Sequence, residues 1–434
     1  MSGNPAGDPV FTAAVDGLAY GGQGVARLSG KAVFIPGAYP GDTVYAKVEK
    51  DKKTYIEASL VRVAVASPNR VEPPCIYAGD CGGCPWIGLE YASQIEWKRR
   101  IVQEQLRRIG GLTVDVSPAA PSTMPLGYRA RARMKVIAKR GKVSIGFRKA
   151  GSHDSIAAVD QCVALNATAN TILRQAREYL RSNAKTAESI YEMEIETGPP
   201  EPVGRIIFNT LGPLPGGFID GALKALPSVK GISVRSGRSF KSSGDVSLST
   251  VTGGAVRLFF GPGVFSQINP EQNTRMVDRI VELAGPANGR TALDLYCGMG
   301  NIAIPLTVAG FGVTGVESVK QAVDDADENR NRLGLFTASF IHGDAGREAE
   351  AFAKRALSFD VTILDPPKGG AKGLSDLVSR ITKETLIYVS CDPPALARDL
   401  KAFAELGFAV ESVDVFDMFP QTARVEVVAV LRKK

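Results

Sequence analysis

The sequence predicts a multidomain α/β protein in which a small β-barrel, an α+β central domain and a doubly wound parallel sheet follow one another. Three observations predict this order. Short β-type segments with glycine-rich turns fill residues 11–65, a cysteine cluster follows a proline-rich hinge, and strands alternate with helices from about residue 256 to the end. We therefore expect domains at residues 1–66, 67–250 and 251–434.

Composition restricts the class of protein. A chain of 434 residues is too long for one core, and 44% hydrophobic with 22% charged residues is typical of a globular protein. The sequence has no apolar run of about 18 residues and no apolar amino-terminal signal, so we expect neither a membrane span nor secretion. The expected location is the cytoplasm, where cysteines stay reduced and more often bind metal or react than form disulfides.

The chain has a moderate basic excess, with 52 Lys and Arg against 45 Asp and Glu, or +7. This excess permits a nucleic-acid partner without requiring one. Arg129, Arg131, Arg133 and Lys135 alternate with small or apolar residues, which predicts four cations on one face of a strand. Such a run is often only a solvated face. Four like charges repel each other, however, and a polyanion would relieve that repulsion.

Residues 11–65 predict the barrel, because turn signals recur about every eight to twelve residues. Barrels of this size bind oligonucleotides or serve as passive structural modules. The segment resembles a TRAM domain, an RNA-binding barrel found in RNA-modifying enzymes.

A proline-rich hinge at residues 67–74 leads into Cys75, Cys81 and Cys84, and Cys162 follows further on. In a reducing compartment, the spacing Cys-x2-Cys lets two thiolates converge on a metal, and ligand chemistry alone allows zinc or an iron–sulfur cluster. A helix over residues 91–110 is expected next, packed on the third domain, and a longer helix spans about 166–182. Most of residues 115–250 carries no catalytic motif.

A nucleotide-type turn opens the third domain. The run DLYCGMGN at residues 294–301 joins a buried strand to a helix through Gly298 and Gly300. The next strand ends at Glu317, a carboxylate that can accept both ribose hydroxyls. A third strand ends near Asp344, within reach of an adenine, and a fourth ends at Asp365. The tail predicts two antiparallel strands with no helix between them, and with the single glycine turn it resembles the class I S-adenosylmethionine-dependent methyltransferase fold, a Rossmann-like architecture.

Cys391 closes an apolar strand and precedes a helix, so it is a candidate nucleophile whose pKa the helix amino terminus would lower. The alternative is a small packed hydrophobe. Carbon 5 of uracil takes a methyl group only after activation, and a thiolate adding to carbon 6 provides it. Glu426, the one carboxylate in the final apolar strand, is the candidate base for the carbon 5 proton, since burial would raise its pKa. The alternative is an edge-strand Glu facing water.

Together with those runs, FSQINP at 265–270, DPPK at 365–368, SCDP at 390–393 and MFPQTARVE at 418–426 resemble the RNA (uracil-5-)methyltransferase family. The resemblance implies that Cys391 is the nucleophile and Glu426 the base. It implies a cofactor pocket formed by these residues: Gln267, Tyr296, Asn301, Glu317, Asp344 and Asp365. It also implies a [4Fe–4S] cluster held by Cys75, Cys81, Cys84 and Cys162, in a monomer of the TRAM-containing branch that acts on 23S ribosomal RNA.

Two departures and several alternatives accompany this interpretation. Relatives often have His before the final Glu, where this chain has Gln421 and Arg424, and Lys368 stands where base-modifying enzymes often have an aromatic residue. Cys297 is expected only to pack. The alternatives are the same uridine methylation on transfer RNA, a non-catalytic RNA-binding or assembly factor, and a metal-dependent redox or radical enzyme.

Overall fold

The computed structural model describes residues 10–152 and 154–434. Residues 1–9 of the predicted barrel domain and residue 153 lie outside the described residues. In the described part, no helix has the length and apolar character needed to cross a membrane.

The amino-terminal region is a closed five-stranded barrel, as the turn spacing predicts. Its strands are β1 Val10–Leu18, β2 Gly24–Leu28, β3 Lys31–Ile35, β4 Thr43–Asp51 and β5 Tyr55–Val65, in the order β1-β2-β3-β5-β4. Alternate apolar residues such as Ala26, Val33 and Val44 are fully buried inside it. Ser29 and Gly30 both have positive φ in the two-residue turn from β2 to β3, the geometry that matches the strand twist.

The central region is a seven-stranded sheet with helices. Its helices are α1 Tyr91–Gln105, extended by a π-helical turn at Leu106–Gly110, α2 Ala167–Ser182, α3 Ala184–Ala187 and α4 Phe218–Ala225. Its strands are β6 Arg131–Lys139, β7 Lys142–Arg148, β8 Ile156–Ala158, β9 Ile190–Thr197, β10 Gly204–Thr210, β11 Val229–Ser236 and β12 Ser239–Gly244, in the order β12-β11-β10-β9-β6-β7-β8. Asn166 caps α2 by accepting from the Ala169 amide, and Ile172, Leu173 and Leu180 bury its apolar face in the core beneath the sheet.

The predicted row of unneutralised cations is wrong. Arg131, Arg133 and Lys135 lie on one face of β6, but β9 pairs beside it in a register that sets a glutamate opposite each of them. Arg131 pairs with Glu196 at 2.9 Å, Arg133 with Glu194 at 3.1 Å, and Lys135 with Glu192 at 2.8 Å. The carboxylates relieve the repulsion that the sequence assigned to a polyanion.

Arg129 is not part of that strand, which begins at Arg131. It lies instead beside the pocket that the cysteines of the central region line. The four cations that alternate in the sequence therefore lie in two different environments, three of them on β6 and Arg129 beside the cysteine pocket.

The carboxyl-terminal region is the predicted doubly wound sheet. Its strands are β13 Leu248–Thr252, β14 Val256–Phe260, β15 Thr291–Leu295, β16 Gly312–Glu317, β17 Ala338–His342, β18 Phe359–Leu364, β19 Thr382–Ser390, β20 Phe408–Phe416 and β21 Glu426–Lys433. Its helices are α5 Pro270–Ala284, α6 Ala303–Val308, α7 Lys320–Leu333, α8 Ala345–Lys354, α9 Ser375–Ile381 and α10 Pro393–Glu405. The main sheet has the order β17-β16-β15-β18-β19-β21-β20, while β13 and β14 form a separate pair. The expected terminal antiparallel hairpin is confirmed, with β21 between β19 and β20.

Helix α1 and the segment after it pack on the carboxyl-terminal sheet. Val102 and Leu106 share a hydrophobic core with Leu396 and Leu400 of α10. Beyond the helix, Ser117 donates a backbone hydrogen bond to Val413 of β20. The edge strand of the sheet is thus covered by the chain that enters the central region.

Candidate functional site

One edge of the carboxyl-terminal sheet collects the polar residues that the sequence selects. Strands β15 to β19 run parallel, so their carboxyl ends meet at a single edge. Strand β21 runs antiparallel to β19, which brings its first residue, Glu426, to the same edge. Ser390 of β19 pairs with Val427 of β21, and Cys391 and Glu426 are therefore neighbours across the two strands.

The glycine turn after β15 leaves an open cradle at this edge. Gly298 and Gly300 have φ of 55° and 90°, and a Cβ atom on Gly300 would lie 2.6 Å from a side-chain atom of Ile304. Tyr296 also has a positive φ, of 71°. The Glu317 carboxylate accepts the Gly298 amide at 3.2 Å and the Val319 amide at 2.8 Å, which fixes it beside the turn.

Asp294 lies beneath the turn with no exposed surface. Within the described residues, both of its carboxyl oxygens are buried without a hydrogen-bond partner. Burial first, and then the charges of Asp365 and Glu317, raise the pKa of Asp294 well above its usual range. The Ala303 backbone amide lies near enough to oppose this rise, and the buried carboxyl otherwise has no polar partner in the described residues, which leaves room for a bound polar group.

The other predicted cofactor residues differ in how free their side chains are. Asp344 caps α8 by accepting the Gly346 and Arg347 amides, each at 3.1 Å. The Asn301 side chain exchanges hydrogen bonds with Asn273 at 2.8 and 3.0 Å, so it braces the turn from behind. Gln267 is half-buried in the loop that leads into α5.

Cys391 lies among carboxylates rather than cations. Burial first, and then the charges of Glu426, Asp365 and Asp392, together raise the pKa of its thiol to about 11. The expectation of a lowered pKa at the helix amino terminus is therefore wrong, because Asp392, whose side chain caps α10, and the two neighbouring strands add negative charge. The thiol is protonated in the resting protein at neutral pH.

Glu426 is 4% exposed in the interior of the sheet, not an edge residue facing water. Burial first, and then the charge of Asp365, raise its pKa well above the usual range of a carboxyl. Burial also raises the pKa of Asp365, to about 7. Two acids with raised pKa values beside a thiol form a group that can hold and move protons near neutral pH.

The barrel contributes a residue that the sequence did not indicate. Tyr20 lies in the turn between β1 and β2, where burial first, and then the nearby Asp392 carboxylate, raise the pKa of its hydroxyl to about 12. Gly22 of the same turn accepts the Trp86 indole N–H at 2.9 Å, and a Cβ atom on it would meet Ala423 at 3.0 Å. The turn therefore lies beside Asp392, which follows Cys391, and beside Ala423, which precedes Glu426. A barrel tyrosine far away in sequence carries no local signal for this position.

The central cysteines form a second candidate site. A single pocket is lined by Cys75, Cys81, Cys84 and Cys162 together with Arg129. Burial first, and then the nearby Cys162 and Cys81, together raise the pKa of the Cys84 thiol to about 12. Among residues 10–152 and 154–434, no set of three or more His, Cys, Asp or Glu side chains has the geometry to hold a single metal ion.

Comparison with known proteins identifies families and relatives that the chain resembles. The family model described as tRNA (Uracil-5-)-methyltransferase matches residues 249–434, and the TRAM domain model matches residues 10–61. Among solved structures, the chain is similar to Pyrococcus abyssi tRNA (uracil-54, C5)-methyltransferase, crystallised in complex with S-adenosyl-L-homocysteine. The two sequences are 27% identical. The match has a TM-score of 0.73 and covers 97% of this chain and 100% of the other.

Curated relatives extend over nearly the whole chain. The 23S rRNA (uracil(1939)-C(5))-methyltransferase RlmD of Alkalilimnicola ehrlichii is 32% identical, covering 98% of this chain and 97% of the relative. The protein of the same name from Pseudomonas putida is also 32% identical, covering 96% of this chain and 92% of the relative. The resemblance read from the sequence motifs is thus confirmed, and the protein belongs to the RNA (uracil-5-)methyltransferase family.

Proposed function

We propose that this protein methylates carbon 5 of a uridine in 23S ribosomal RNA, with S-adenosylmethionine as methyl donor. The observation that supports this most is the meeting of Cys391, Glu426 and Asp365 at the sheet edge that also carries the glycine turn. The names of the full-length relatives support the ribosomal substrate.

In the proposed reaction, the Cys391 thiolate adds to carbon 6 of the target uracil and leaves an enolate. Carbon 5 of that enolate then forms a bond to the methyl group, the bond between the methyl group and the donor sulfur breaks, and S-adenosylhomocysteine is the leaving group. Glu426 removes the proton from carbon 5, the double bond between carbons 5 and 6 forms again, and the thiolate leaves. Because the resting thiol is protonated, we expect it to lose its proton only in the loaded site, which limits side reactions of a free thiolate.

The residues at the sheet edge fit the methyl donor. S-adenosylmethionine supplies an electrophilic methyl group and one positive charge. We propose that the pocket is formed by these six residues: Gln267, Tyr296, Asn301, Glu317, Asp344 and Asp365. The open glycine turn and the unpartnered Asp294 carboxyl support this assignment, and so does the carboxylate at the end of β16, which suits ribose hydroxyls. Asn301 would act by holding the turn in shape, since its amide is bonded to Asn273.

The four cysteines of the central pocket are the proposed ligands of a [4Fe–4S] cluster. Four thiols around one pocket fit such a cluster, and Arg129 beside them would offset the negative charge of a thiolate-bound cluster. With each iron bound to a protein thiolate, the cluster would brace the central region. The four proposed ligands are Cys75, Cys81, Cys84 and Cys162.

The remaining parts are proposed to recognise RNA. We propose the division at residues 1–66, 67–250 and 251–434, with the barrel holding RNA close to the active site. Tyr20 supports that role, because it carries the barrel surface to Asp392, next to the nucleophile. We further propose that the protein acts as a monomer in the cytoplasm.

The substrate is tested by methyl transfer from labelled S-adenosylmethionine to unmodified 23S ribosomal RNA and transfer RNA, supplied separately. We expect 5-methyluridine in the ribosomal RNA. Label in transfer RNA alone would favour the second candidate, which the name of the Pyrococcus abyssi structure supports. No label in either RNA, with cofactor binding demonstrated, would favour a non-catalytic RNA-binding factor.

A further inference from the structure

Helix α1 buries a polar stripe where a packed helix normally buries apolar residues. Gln94 and Lys98 are both 0% exposed, and Tyr91 lies on the same face one turn earlier. Apolar residues would cover this face at lower free-energy cost, because burying an amide or a charge requires full compensation by partners. Packing of the helix alone therefore does not explain why these polar side chains are buried.

All three residues contact one segment, the connection at residues 417–425 that joins β20 to β21. Asp417 begins this connection with no exposed surface. It accepts the Tyr91 hydroxyl at 2.6 Å and forms a short ion pair with the Lys98 ammonium. Lys98 also donates to the Phe419 carbonyl at 3.0 Å. The start of the connection is thus tied to the helix by a buried charge pair.

The middle of the connection is tied by two amides. The Gln94 side chain accepts the Gln421 backbone N–H at 3.1 Å and donates to the Gln421 side-chain oxygen at 2.9 Å. It also donates to the carbonyls of Trp86 at 3.1 Å and Leu89 at 2.8 Å. The backbone N–H of Trp86 in turn donates to the Gln421 carbonyl at 3.0 Å.

This network holds Gln421 in a conformation that it would not adopt by itself. Gln421 has a φ of 67°, in the left-handed region, which is unfavourable for a residue other than glycine. Its backbone N–H, carbonyl and side-chain amide all have partners outside the connection. A fully satisfied buried network of this kind selects one conformation.

Glu426 follows directly as the first residue of β21. The sheet fixes the chain after it, whereas the connection fixes the chain before it. We infer that Gln94 is a positioning residue for Glu426, acting through Gln421 to aim the carboxylate at the carbon 5 proton. This inference rests on the proposed function, because it assigns Gln94 to the step in which the covalent adduct is resolved.

The test compares two RNA substrates in the Gln94→Met variant, in which side-chain volume is nearly conserved. With 5-fluorouridine in the target RNA, carbon 5 carries fluorine in place of the proton that the base removes. The covalent adduct therefore cannot be resolved, and the rate of adduct formation is measured separately from its release. We expect wild-type rates of adduct formation in this variant. With ordinary uridine RNA, we expect turnover to fall roughly 10- to 100-fold, the effect of misplacing a reacting group, while the adduct accumulates.

A matched control uses Gln103→Met on the same helix, since the Gln103 amide donates to Val114 rather than to the connection. This control should turn over ordinary RNA without adduct accumulation. Gln421→Ala removes the side-chain hydrogen bonds to Gln94 and Pro125 and leaves a residue other than glycine at positive φ, so it should also accumulate adduct. It keeps the question answerable if Gln94→Met does not fold.

The inference would be overturned if wild type, Gln94→Met and Gln421→Ala all gave the same ratio of adduct to released product, even if their unfolding midpoints differ. The proposed function fails in a different way. In that case wild-type protein itself forms no adduct with 5-fluorouridine RNA.

Discussion

Glu426 raises the pKa of the Cys391 thiol, second only to burial, because strand pairing brings the first residue of β21 beside the residue that ends β19. With this thiol and carboxyl side by side, a negative charge on Glu426 disfavours the thiolate in the resting protein. The two groups are suited to a cycle in which each is deprotonated at a different step. Addition to carbon 6 needs the thiolate, and removal of the carbon 5 proton needs the carboxylate.

The first prediction concerns stability and pH. The pKa of Glu426 is higher in the folded protein than its usual value of 4.5 in an unfolded chain, so the folded state binds more protons and loses stability as pH rises above that value. Glu426→Gln removes this penalty, at about 1.4 kcal/mol for each unit of raised pKa. Denaturant unfolding should therefore find the variant more stable than wild type at pH 8, with the difference shrinking towards pH 5. A variant that is less stable at pH 8 would contradict the assigned shift.

The second prediction concerns Arg205, which is 0% exposed and joins the central sheet to the segment entering the carboxyl-terminal sheet. It pairs with Glu196 at 2.6 Å and donates to the Phe260 carbonyl at 3.0 Å. Arg205→Ala leaves Glu196 with Arg131 as a cationic partner but removes a buried ion pair and the donor to the Phe260 carbonyl, so it should lower the free energy of unfolding by about 1–3 kcal/mol. The exposed Arg238→Ala should change it by about 0.5 kcal/mol or less. Equal effects of the two substitutions in chemical denaturation would show that the buried pair is not stabilising.

The third prediction concerns the cysteine pocket. Cys81→Ser removes one of four proposed ligands, so iron and acid-labile sulfide should fall to near zero in protein purified without oxygen. Cys297→Ala is the control. Cys297 is buried in the hydrophobic core of the carboxyl-terminal region, so its replacement should leave the iron content unchanged. If Cys81→Ser keeps its iron and its stability, the ligand assignment is wrong.

The fourth prediction concerns Tyr20. Its hydroxyl lies near the Asp392 carboxylate, and that carboxylate raises the pKa of the Cys391 thiol. Tyr20→Phe removes the hydroxyl dipole that stabilises the charge of Asp392 and should raise the thiol pKa, so alkylation of Cys391 at pH 9 should slow severalfold. Mass spectrometry of the peptide containing residue 391 gives the rate. Tyr45→Phe, in a barrel residue that contacts Arg62, is the control and should react as wild type does. Identical rates in all three proteins would exclude a link between the barrel and the nucleophile.

The sequence predicted the edge of the sheet well, because parallel strands bring their carboxyl ends together. A residue such as Glu317 or Asp365 could be selected from its position after an apolar run. The electrostatics of Cys391 could not be predicted in the same way. The local helix argues for a lower pKa, but the opposing carboxyls come from β18 and β21, and their distance depends on strand order and register.

Register also explains the error at the central sheet. The alternation in β6 is visible in the sequence, but the three glutamates that neutralise it lie on β9, about sixty residues later, and only the pairing sets them opposite. The polar stripe of α1 was hidden for a similar reason. Gln94 and Lys98 read as ordinary surface residues of a helix until the connection at residues 417–425 is seen to cover them.

The measurement that tests the central claim most directly is mass spectrometry of a covalent peptide–uridine adduct formed from 23S ribosomal RNA and S-adenosylmethionine. In Glu426→Gln the account predicts an adduct that accumulates on the peptide containing Cys391. With Cys391→Ala, alone or combined with Glu426→Gln, it predicts neither adduct nor 5-methyluridine. Methylation that persists in Cys391→Ala, or a Glu426→Gln protein with neither activity nor adduct, would contradict it.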